Sequence, residues 1–447
     1  MGGLRTKTAT MNPSDTEALD DFVSILKFMT ISSIGASSGS YDECSDWLVK
    51  RLRSYGIDNV FILPESVPHK PIVIAVIEGD DKNLPAILLN SHYDVVPVAN
   101  EYWTVPAFDG FIKDGKIYGR GTQDMKCVCV QYIHAIKRLL NDGFKPKRNI
   151  YLSFVPDEEI GGYDGMKVLL ESNWYANINI AIAFDEGLAS EDDNYTVFYA
   201  ERLPWWVKYK AEGNTGHASR FIENTAVEQI ISVANKALAY RKEQKDILHG
   251  GVDSSNINGC SHCVAKKKTL GDVTTLNLTS LHASVTAGNG IDVLNVVPPI
   301  AEASFDIRIS PHVDPSDVHN MLDSWCQEVN STLVHSPNLG IKWEFIGNPL
   351  KSHSVTSVDP KDNQWFTLLT ETLSRKNINI NTQVFPAATD SRYLRALNIK
   401  ALGFSPIRNS KIMLHENDEY IDIDVYLEGV EIYYELIKVL ASQDGEV

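Results

Sequence analysis

Three apolar segments of this chain each stop abruptly at carboxylate or imidazole side chains. The segments and the polar groups that follow them are 87–91 with His92 and Asp94, 150–155 with Glu158 and Glu159, and 178–184 with Asp185 and Glu186. Continuous apolar runs of this length are typical of strands buried on both faces of a parallel sheet. In doubly wound sheets, sites form at the carboxyl ends of the strands. The pattern therefore predicts an α/β fold with a functional site at one edge of its sheet.

The spacing of His92 and Asp94 adds detail to this pattern. Side chains two positions apart share one face of an extended strand, so the carboxylate can lie beside the imidazole. A metal-binding histidine commonly has such a carboxylate, which fixes its tautomer. The alternative is a structural pair at the end of a strand, and these two residues alone do not decide between the two interpretations.

The size and charge of the chain limit its class. It has 447 residues, of which 43% are hydrophobic and 22% charged, enough for more than one globular domain. The formal net charge of −17 argues against nucleic acid and anionic membranes as partners, because both bind cationic surfaces. A small anionic substrate is still compatible, since one local arginine can outweigh distant negative charge.

We expect a cytoplasmic protein. No segment reaches the roughly 18 apolar residues of a membrane span, and residues 1–15 contain no apolar stretch typical of secretion. The six cysteines are scattered through the chain, as reduced thiols usually are. Residues 1–6 also fit the loose pattern for myristoylation at Gly2, but many Gly-rich starts fit it equally.

Hydrophobic periodicity divides the chain into three stretches. Residues 1–198 and 353–447 alternate helices with apolar strands, which predicts one doubly wound, mostly parallel α/β domain in two parts. Residues 199–352 follow the order β-α-β-β-α-β, which is typical of an inserted α+β ferredoxin-like domain. The polar segment 247–271 is predicted to be a solvated loop, and its Cys260-Ser261-His262-Cys263 lacks the second ligand pair of a zinc finger.

The same periodicities place the individual elements. Helices are expected near 16–30, 41–55, 125–141, 224–246, 315–330, 361–375, 390–397 and 424–441. Strands are expected near 59–64, 71–78, 85–91, 116–119, 150–155, 178–184, 205–213, 273–281, 296–309, 341–346, 380–385 and 400–404.

The candidate metal ligands are carboxylates and imidazoles of the α/β domain. They are His92, Asp124, Glu158 or Glu159, Asp185 or Glu186, and His415. Carboxylates combined with imidazole suit zinc, cobalt or manganese. Five ligand positions are too many for one tetrahedral zinc that keeps a water, and they match two metals about 3.5–4 Å apart that share one bridging carboxylate.

Several motifs resemble those of one hydrolase family. Four of them, S-H-Y-D-V-V-P (91–97), G-R-G-T-Q-D-M-K (119–126), V-P-D-E-E-I-G-G (155–162) and F-D-E-G (184–187), resemble the co-catalytic zinc amidohydrolases and peptidases of the M20 family. The segments E-R-L-P-W-W-V (201–207), G-H-A-S-R-F (216–221), P-A-A-T-D-S-R-Y (386–393), A-L-G-F-S-P (401–406) and L-H-E-N-D-E (414–419) are similar to its aminoacylase I branch. The resemblance covers about residues 16–441.

The resemblance implies a role for each candidate residue. In the α/β domain, His92 and Glu186 would be terminal ligands of one zinc, Glu159 and His415 would be terminal ligands of a second, and Asp124 would bridge both. Asp94 would support His92, and Glu158 would be the general base. Arg392 would bind the α-carboxylate of the substrate. In the inserted domain, His217 would reach across a homodimer to the developing oxyanion, and Asn295 and Arg308 would contact the substrate. A cis peptide between Asp124 and Met125 is also implied.

The expected activity is hydrolysis of N-acyl-L-amino acids to a carboxylate and a free amino acid by a metal-activated water. The resemblance favours short acyl groups on neutral side chains such as methionine. One alternative is a dipeptidase or carboxypeptidase of the same family, and another is an inactive dimeric binding protein, which the intact ligands and Glu158 argue against. The segments 247–271 and 283–292 are longer than is usual in the family, which bears on the lid and the dimer rather than the metal centre.

Overall fold

The computed structural model describes residues 11–250, 268–288, 290–333 and 339–444. It divides the chain into two compact units. Unit 1 comprises Met1–Tyr199, Thr356–Thr382 and Thr389–Val447, and unit 2 comprises Ala200–Val355 and Gln383–Ala388. The domain limits expected at residues 199 and 352 lie close to these boundaries, whereas the sequence did not suggest that the short segment 383–388 belongs with unit 2.

The helices of the described chain are α1 (Pro13–Leu26), α2 (Gly35–Ser38), α3 (Ser40–Ser54), α4 (Lys126–Asn141), α5 (Met166–Glu171), α6 (Ala226–Leu248), α7 (Pro315–Ser331), α8 (Gln364–Ser374), α9 (Ser391–Ala396) and α10 (Ile423–Ala441). The strands are β1 (Val60–Ile62), β2 (Val73–Ile77), β3 (Ala86–His92), β4 (Phe111–Lys113), β5 (Lys116–Tyr118), β6 (Ile150–Val155), β7 (Ile180–Asp185), β8 (Tyr195–Glu201), β9 (Leu203–Glu212), β10 (Gly216–His217), β11 (Thr275–His282), β12 (Val296–Val297), β13 (Ile300–Ile309), β14 (Gly340–Phe345), β15 (Ile380–Phe385), β16 (Ala401–Phe404) and β17 (Tyr420–Asp422).

Every predicted helix and strand overlaps an observed one. Strand β8, which only Arg202 separates from β9, was not predicted from the sequence. No glycine or polar loop separates the two strands, and Pro204 lies inside β9 rather than between them, so local turn chemistry gave little signal. Short elements such as α5, β4 and β17 were not predicted either, because they are too short to show a recognisable hydrophobic period.

The large sheet of unit 1 has the order β1-β2-β6-β3-β7-β16-β8-β15. The four central strands, β6, β3, β7 and β16, run parallel to one another. Strand β1 pairs antiparallel with β2, β2 with β6, and β8 with β16, so the antiparallel strands lie towards the edges. The expected α/β fold with a mostly parallel sheet is confirmed.

Strand β3 shows why this sheet has layers on both faces. All seven of its residues are buried. Ile87 and Leu89 belong to a hydrophobic cluster that includes residues of α1, α3, α4, α8 and α10. Ala86 and Leu88 belong to a second cluster, which includes residues of α5 and α9. Because successive side chains of a strand point to opposite faces, both faces are covered, as the unbroken apolar run predicted.

Unit 2 is built on an antiparallel sheet in the order β11-β13-β9-β14 with two helices, α6 and α7. Buried residues alternate along β9 and β13, so one face of the sheet forms the core. That core includes Val207 and Phe305 from the sheet and Leu322 from α7. Helix α6 begins at a capping box formed by Thr225 and Glu228. The element order is β-α-β-β-α-β, as expected for a ferredoxin-like domain.

Parts of several sequence predictions lie outside the described residues. These include Gly2 and most of the 247–271 segment, with Cys260, His262 and Cys263. Within 283–292, Thr286 forms an antiparallel bridge with Asp292, so this segment folds back on itself. Among the helices of the described chain, none combines the length and the apolar character needed to cross a membrane.

Candidate metal centre

The carboxyl ends of three neighbouring parallel strands form one edge of the sheet in unit 1. Strand β3 lies between β6 and β7. His92 is the last residue of β3 and is in register with Val155 at the end of β6. Glu158 and Glu159 follow β6 within four residues, and Glu186 directly follows β7. The side chains that the sequence placed at strand ends therefore converge.

The first candidate ligand set consists of His92, Asp124 and Glu186, whose ligand atoms all lie within 4.8 Å of one another. The His92 Nε2 atom is 3.1 Å from Asp124 Oδ1 and 3.8 Å from Glu186 Oε2. All three residues are buried, and His92 is only 1% exposed. Two of the three side chains are carried on strand ends, so the sheet fixes their positions.

The second set consists of Asp124, Glu159 and His415, again within 4.8 Å of one another. The His415 Nε2 atom is 3.3 Å from Asp124 Oδ2 and 3.0 Å from Glu159 Oε2. Asp124 therefore faces a different imidazole with each of its two oxygens. This is the arrangement expected of a carboxylate shared by two metals. The His415 side chain, at 47% exposure, lies at the surface.

The electrostatics of both sets favour bound cations. Burial and then the Asp124 carboxylate raise the pKa of Glu186 well above its usual range and that of Glu159 to about 7. Burial would also raise the pKa of Asp124, but hydrogen bonds from His415 and His92 lower it. Oε1 of Glu159 is buried without a hydrogen-bond partner in the described chain. Mutually repelling buried carboxylates beside imidazoles are suitable ligands for two divalent metal ions.

The carboxylate of Asp94 supports both the strand-end histidine and the turn after β6. Its Oδ1 lies 3.4 Å from Nδ1 of His92, which is also 3.0 Å from the Asp94 carbonyl oxygen. The carboxylate accepts the backbone N–H groups of Glu158 and Glu159 at 3.1 and 3.2 Å and the hydroxyl of Ser32 at 2.9 Å. The sequence predicted the first contact. It did not predict that Asp94 also fixes the turn that carries Glu158 and Glu159.

Glu158 lies beside the ligand sets and next to Arg392. Burial and then the Glu186 carboxylate raise the pKa of Glu158 well above its usual range. Its Oε1 is 4.0 Å from Nη1 of Arg392. The Arg392 guanidinium also donates to the carbonyl oxygens of Thr389 and Gly161, each at 2.8 Å. Glu158 and Arg392, which were both predicted to take part in the reaction, thus lie close to the candidate metal centre.

The comparison with known proteins identifies the family. The model of peptidase family M20/M25/M40 matches residues 88–439, which is most of the chain and spans all five candidate ligands. The chain belongs to this family. The resemblance of its motifs to M20 enzymes is therefore confirmed.

Two relatives and one solved structure illustrate the match. The chain is 41% identical over 410 residues to Aminoacylase-1 of Dictyostelium discoideum, covering 90% of this chain and 93% of the relative. It is 37% identical over 379 residues to human Aminoacylase-1, covering 85% of each. The crystal structure of an M20 family metallo-carboxypeptidase, Sso-CP2 of Sulfolobus solfataricus, matches with a TM-score of 0.68 at 19% identity and covers 96% of this chain and 100% of that one. At that identity the structural match shows a shared fold.

The residues predicted to act from the inserted domain lie at two separate places in unit 2 of this M20 protein. His217 is exposed on β10 and pairs with Val296 of β12, while the carbonyl oxygen of Asn295 accepts the N–H of Ala218 at 2.9 Å. Arg308 lies eight positions along β13 from its first residue, which is about 26 Å at the usual rise of a strand. The structure brings the backbone segments of His217 and Asn295 together and places Arg308 near the end of β13, in a different sheet.

Two buried carboxylates near the centre were not singled out from the sequence. Glu419 accepts backbone N–H groups of the turn that carries Asp124. Asp390 is fully buried, neither of its oxygens has a hydrogen-bond partner in the described chain, and burial followed by Asp185 raises its pKa to about 8. Both lie in quoted motifs, L-H-E-N-D-E and P-A-A-T-D-S-R-Y, and that membership was the only available signal.

One implied detail is wrong. The peptide between Asp124 and Met125 is trans, as are all peptides in the described ranges. The trans backbone already directs the two oxygens of Asp124 to His92 and His415.

Proposed function

We propose that this M20 family member is a zinc-dependent amidohydrolase that converts N-acyl-L-amino acids to a carboxylate and a free L-amino acid. The observation that carries the proposal is the Asp124 carboxylate, which faces His92 with one oxygen and His415 with the other. This arrangement supports a site for two metals. The aminoacylases that match over 85–90% of the chain support the substrate class.

The proposed ligands are His92, Asp124 and Glu186 for one zinc and Asp124, Glu159 and His415 for the other. Carboxylate and imidazole donors also suit cobalt and manganese, so these ions are expected substitutes. When bound, the metal ions would polarise the amide carbonyl and lower the pKa of the attacking water.

Glu158 is proposed as the general base and later as the general acid. It would accept the proton of the attacking water and deliver it to the nitrogen of the leaving amino acid. Its pKa is raised by burial and by the Glu186 carboxylate, which favours uptake of the proton from the attacking water. Asp94 would keep Glu158 in place through the backbone N–H of that residue.

Arg392 is proposed to bind the α-carboxylate of the substrate. Its planar guanidinium suits a carboxylate, and its position 4.0 Å from Glu158 places the positive charge beside the proposed reacting groups. Its two hydrogen bonds to carbonyl oxygens fix the orientation of the guanidinium. An N-acyl amino acid presents such a carboxylate close to the amide bond that is cleaved.

We propose that the active enzyme is a homodimer in which His217 and Asn295 serve the site of the partner subunit. Within unit 2, Arg308 lies eight positions, or roughly 26 Å, from the first residue of β13, whereas His217 pairs with Val296, which precedes that strand. This placement of the two residues in different parts of unit 2 supports the proposal that they act on a substrate from different subunits. Two copies related by a twofold axis can supply one group each.

A cytoplasmic location is proposed as well. The described part of the chain contains four cysteines, Cys44, Cys127, Cys129 and Cys326, and all are free and buried. Free thiols of this kind are compatible with a reducing compartment.

The test of the reaction is the Glu158→Gln variant with zinc analysis and a substrate panel. We expect the variant to retain two zinc ions per chain but to lose at least ~100-fold in kcat on N-acetyl-L-methionine, since a positioned general base contributes about that much. The same panel contains methionyl dipeptides, and faster cleavage of these by the wild-type protein would support a dipeptidase instead. Near-normal turnover by a folded, zinc-loaded variant would exclude Glu158 as the base.

A further inference from the structure

The carboxylate of Glu419 lies under the turn that presents Asp124. Its Oε2 accepts the N–H of Gly121 at 3.1 Å, and its Oε1 accepts that of Gln123 at 2.7 Å and that of Asp124 at 3.4 Å. Glu419 is fully buried. Both oxygens are therefore occupied by backbone donors of the same turn, which holds the peptide groups around Asp124 in one orientation.

Arg120 extends these contacts to the turn that presents His415. Its Nη1 donates to Oε2 of Glu419 at 2.9 Å and to the carbonyl oxygen of Glu416 at 3.2 Å. Its Nη2 lies 3.4 Å from the carbonyl oxygen of His415. One buried ion pair, 3% exposed on the arginine side and 0% on the glutamate side, thus binds the backbone of both turns.

Gln123 makes a second connection between the same two segments. Its side-chain amide donates to the carbonyl oxygens of Lys411 and Tyr420 at 3.0 and 2.8 Å, and its Oε1 accepts the N–H of Met413 at 3.0 Å. These contacts flank His415 on both sides along the chain. The turn at 119–124 and the segment 411–420 are therefore held as one polar cluster.

His415 has particular need of such support. Unlike His92, it lies on no strand, its side chain is 47% exposed, and its backbone has a φ of 58°, a left-handed conformation that is uncommon for histidine. Packing against its side chain therefore does little to fix its position. Partners outside the ligand set often decide ligand orientation, and their loss typically lowers metal affinity 10–100-fold.

We propose that Glu419 and Arg120 are positioning residues that set the distance between Asp124 and His415 and thereby the affinity for the second metal. The proposal rests on the proposed two-metal function. It predicts a larger effect on the second metal than on the first, because two of the three first-metal ligands, His92 and Glu186, are held at the ends of β3 and β7. The second metal depends on the two turns that this ion pair connects.

The test compares Glu419→Gln with the wild-type protein in zinc binding. An amide in this position cannot satisfy the site in either orientation, because its NH₂ group would face backbone N–H donors on one side or the other. We expect the apparent dissociation constant of the more weakly bound zinc to rise at least ~10-fold. The tightly bound zinc should stay at one per chain. Zinc content and competition with a chromophoric chelator measure both values without substrate, and added zinc should restore activity.

Glu416→Gln is the matched control, since it makes the same chemical change three residues away on an exposed side chain. It should bind both zinc ions as the wild-type protein does. Equal loss of thermal stability with and without zinc in Glu419→Gln, at unchanged zinc affinities, would show a purely structural role and overturn the proposal. Failure of the wild-type protein to bind a second metal would instead overturn the proposed function.

Arg120→Lys covers the case in which Glu419→Gln does not fold. Lysine keeps the positive charge beside Glu419 but cannot reach the carbonyl oxygens of Glu416 and His415 together with the carboxylate. We expect a rise of several fold in the dissociation constant of the second zinc. An unchanged value in this variant would also overturn the proposal.

Discussion

Replacing Asp94 by asparagine should loosen the turn that carries Glu158 and Glu159. The carboxylate accepts the N–H of Glu158 with Oδ1 and the N–H of Glu159 with Oδ2. Asparagine has one acceptor oxygen in the side chain, so one of these buried N–H groups must face an NH₂ group. The hydroxyl of Ser32 can rotate to accept from that NH₂ group, so the least costly orientation leaves only the N–H of Glu159 unsatisfied.

The magnitude follows from these contacts. A buried N–H without a partner costs about 1–3 kcal/mol, and replacing a charged acceptor by a neutral one for Glu158 costs about 1 kcal/mol more. We therefore expect the free energy of local opening of this turn to fall by roughly 2–4 kcal/mol. Because 1.4 kcal/mol corresponds to a factor of ten, amide exchange there should accelerate from about 30-fold to several hundred-fold.

Hydrogen exchange followed by mass spectrometry on peptides that cover 156–162 measures this effect directly. Ser32→Ala is the matched control, since it removes one donor to Asp94 and leaves both backbone contacts in place. It should change exchange by less than about tenfold, given about 1 kcal/mol for one hydrogen bond. Exchange in Asp94→Asn that matches the control would refute the assignment of Asp94 as the support of this turn.

Three further outcomes are expected. The His217→Ala and Glu158→Gln variants, each nearly inactive alone, should recover up to about a quarter of wild-type activity when equal amounts are mixed and exchange subunits. Half of the dimers are then mixed, and each mixed dimer has one intact site of two. No recovery despite demonstrated exchange would show that His217 does not act in the partner's site. Gly162→Ala should lower the free energy of unfolding more than Gly143→Ala does in denaturant titrations. Both glycines have positive φ, but only at Gly162 would the new Cβ lie 2.4 Å from Asp390 Oδ1. Equal decreases in the free energy of unfolding would contradict a steric clash at Gly162. Chelation should abolish hydrolysis and lower the melting temperature, and zinc should restore both; activity that persists in metal-free protein would contradict a metal-dependent reaction.

The strand-end residues of the site could be predicted because burial of a central strand leaves a continuous apolar run in the sequence. His92 is the clearest example, since its strand is buried throughout. The choice between Asp185 and Glu186 could not be made from that pattern. Asp185 accepts from Asn90 and Ser391 at 2.9 and 2.8 Å, contacts that depend on neighbouring elements far along the chain.

The polar cluster around Glu419 had no comparable signal. Its partners at Gly121 and Gln123 are almost 300 positions away, and hydrogen bonds to backbone groups leave no periodicity in the sequence. The same holds for the second role of Asp94, which depends on the turn after β6. That turn begins at Asp157 in a left-handed conformation with a φ of 63°, a local backbone choice that residue type alone does not specify.

The way the chain leaves and re-enters unit 1 also affects how the protein can be assembled. The N–H of Thr356 donates to the carbonyl oxygen of Tyr199 at 2.9 Å, so the two ends of the long insertion are adjacent. A folded insertion with adjoining ends adds little closure entropy, which grows only with the logarithm of loop length. Four of the proposed ligands precede the insertion and His415 follows it. A nascent chain that ends before residue 415 should therefore bind one zinc at most, and completion of the metal centre would report that synthesis has passed the insertion.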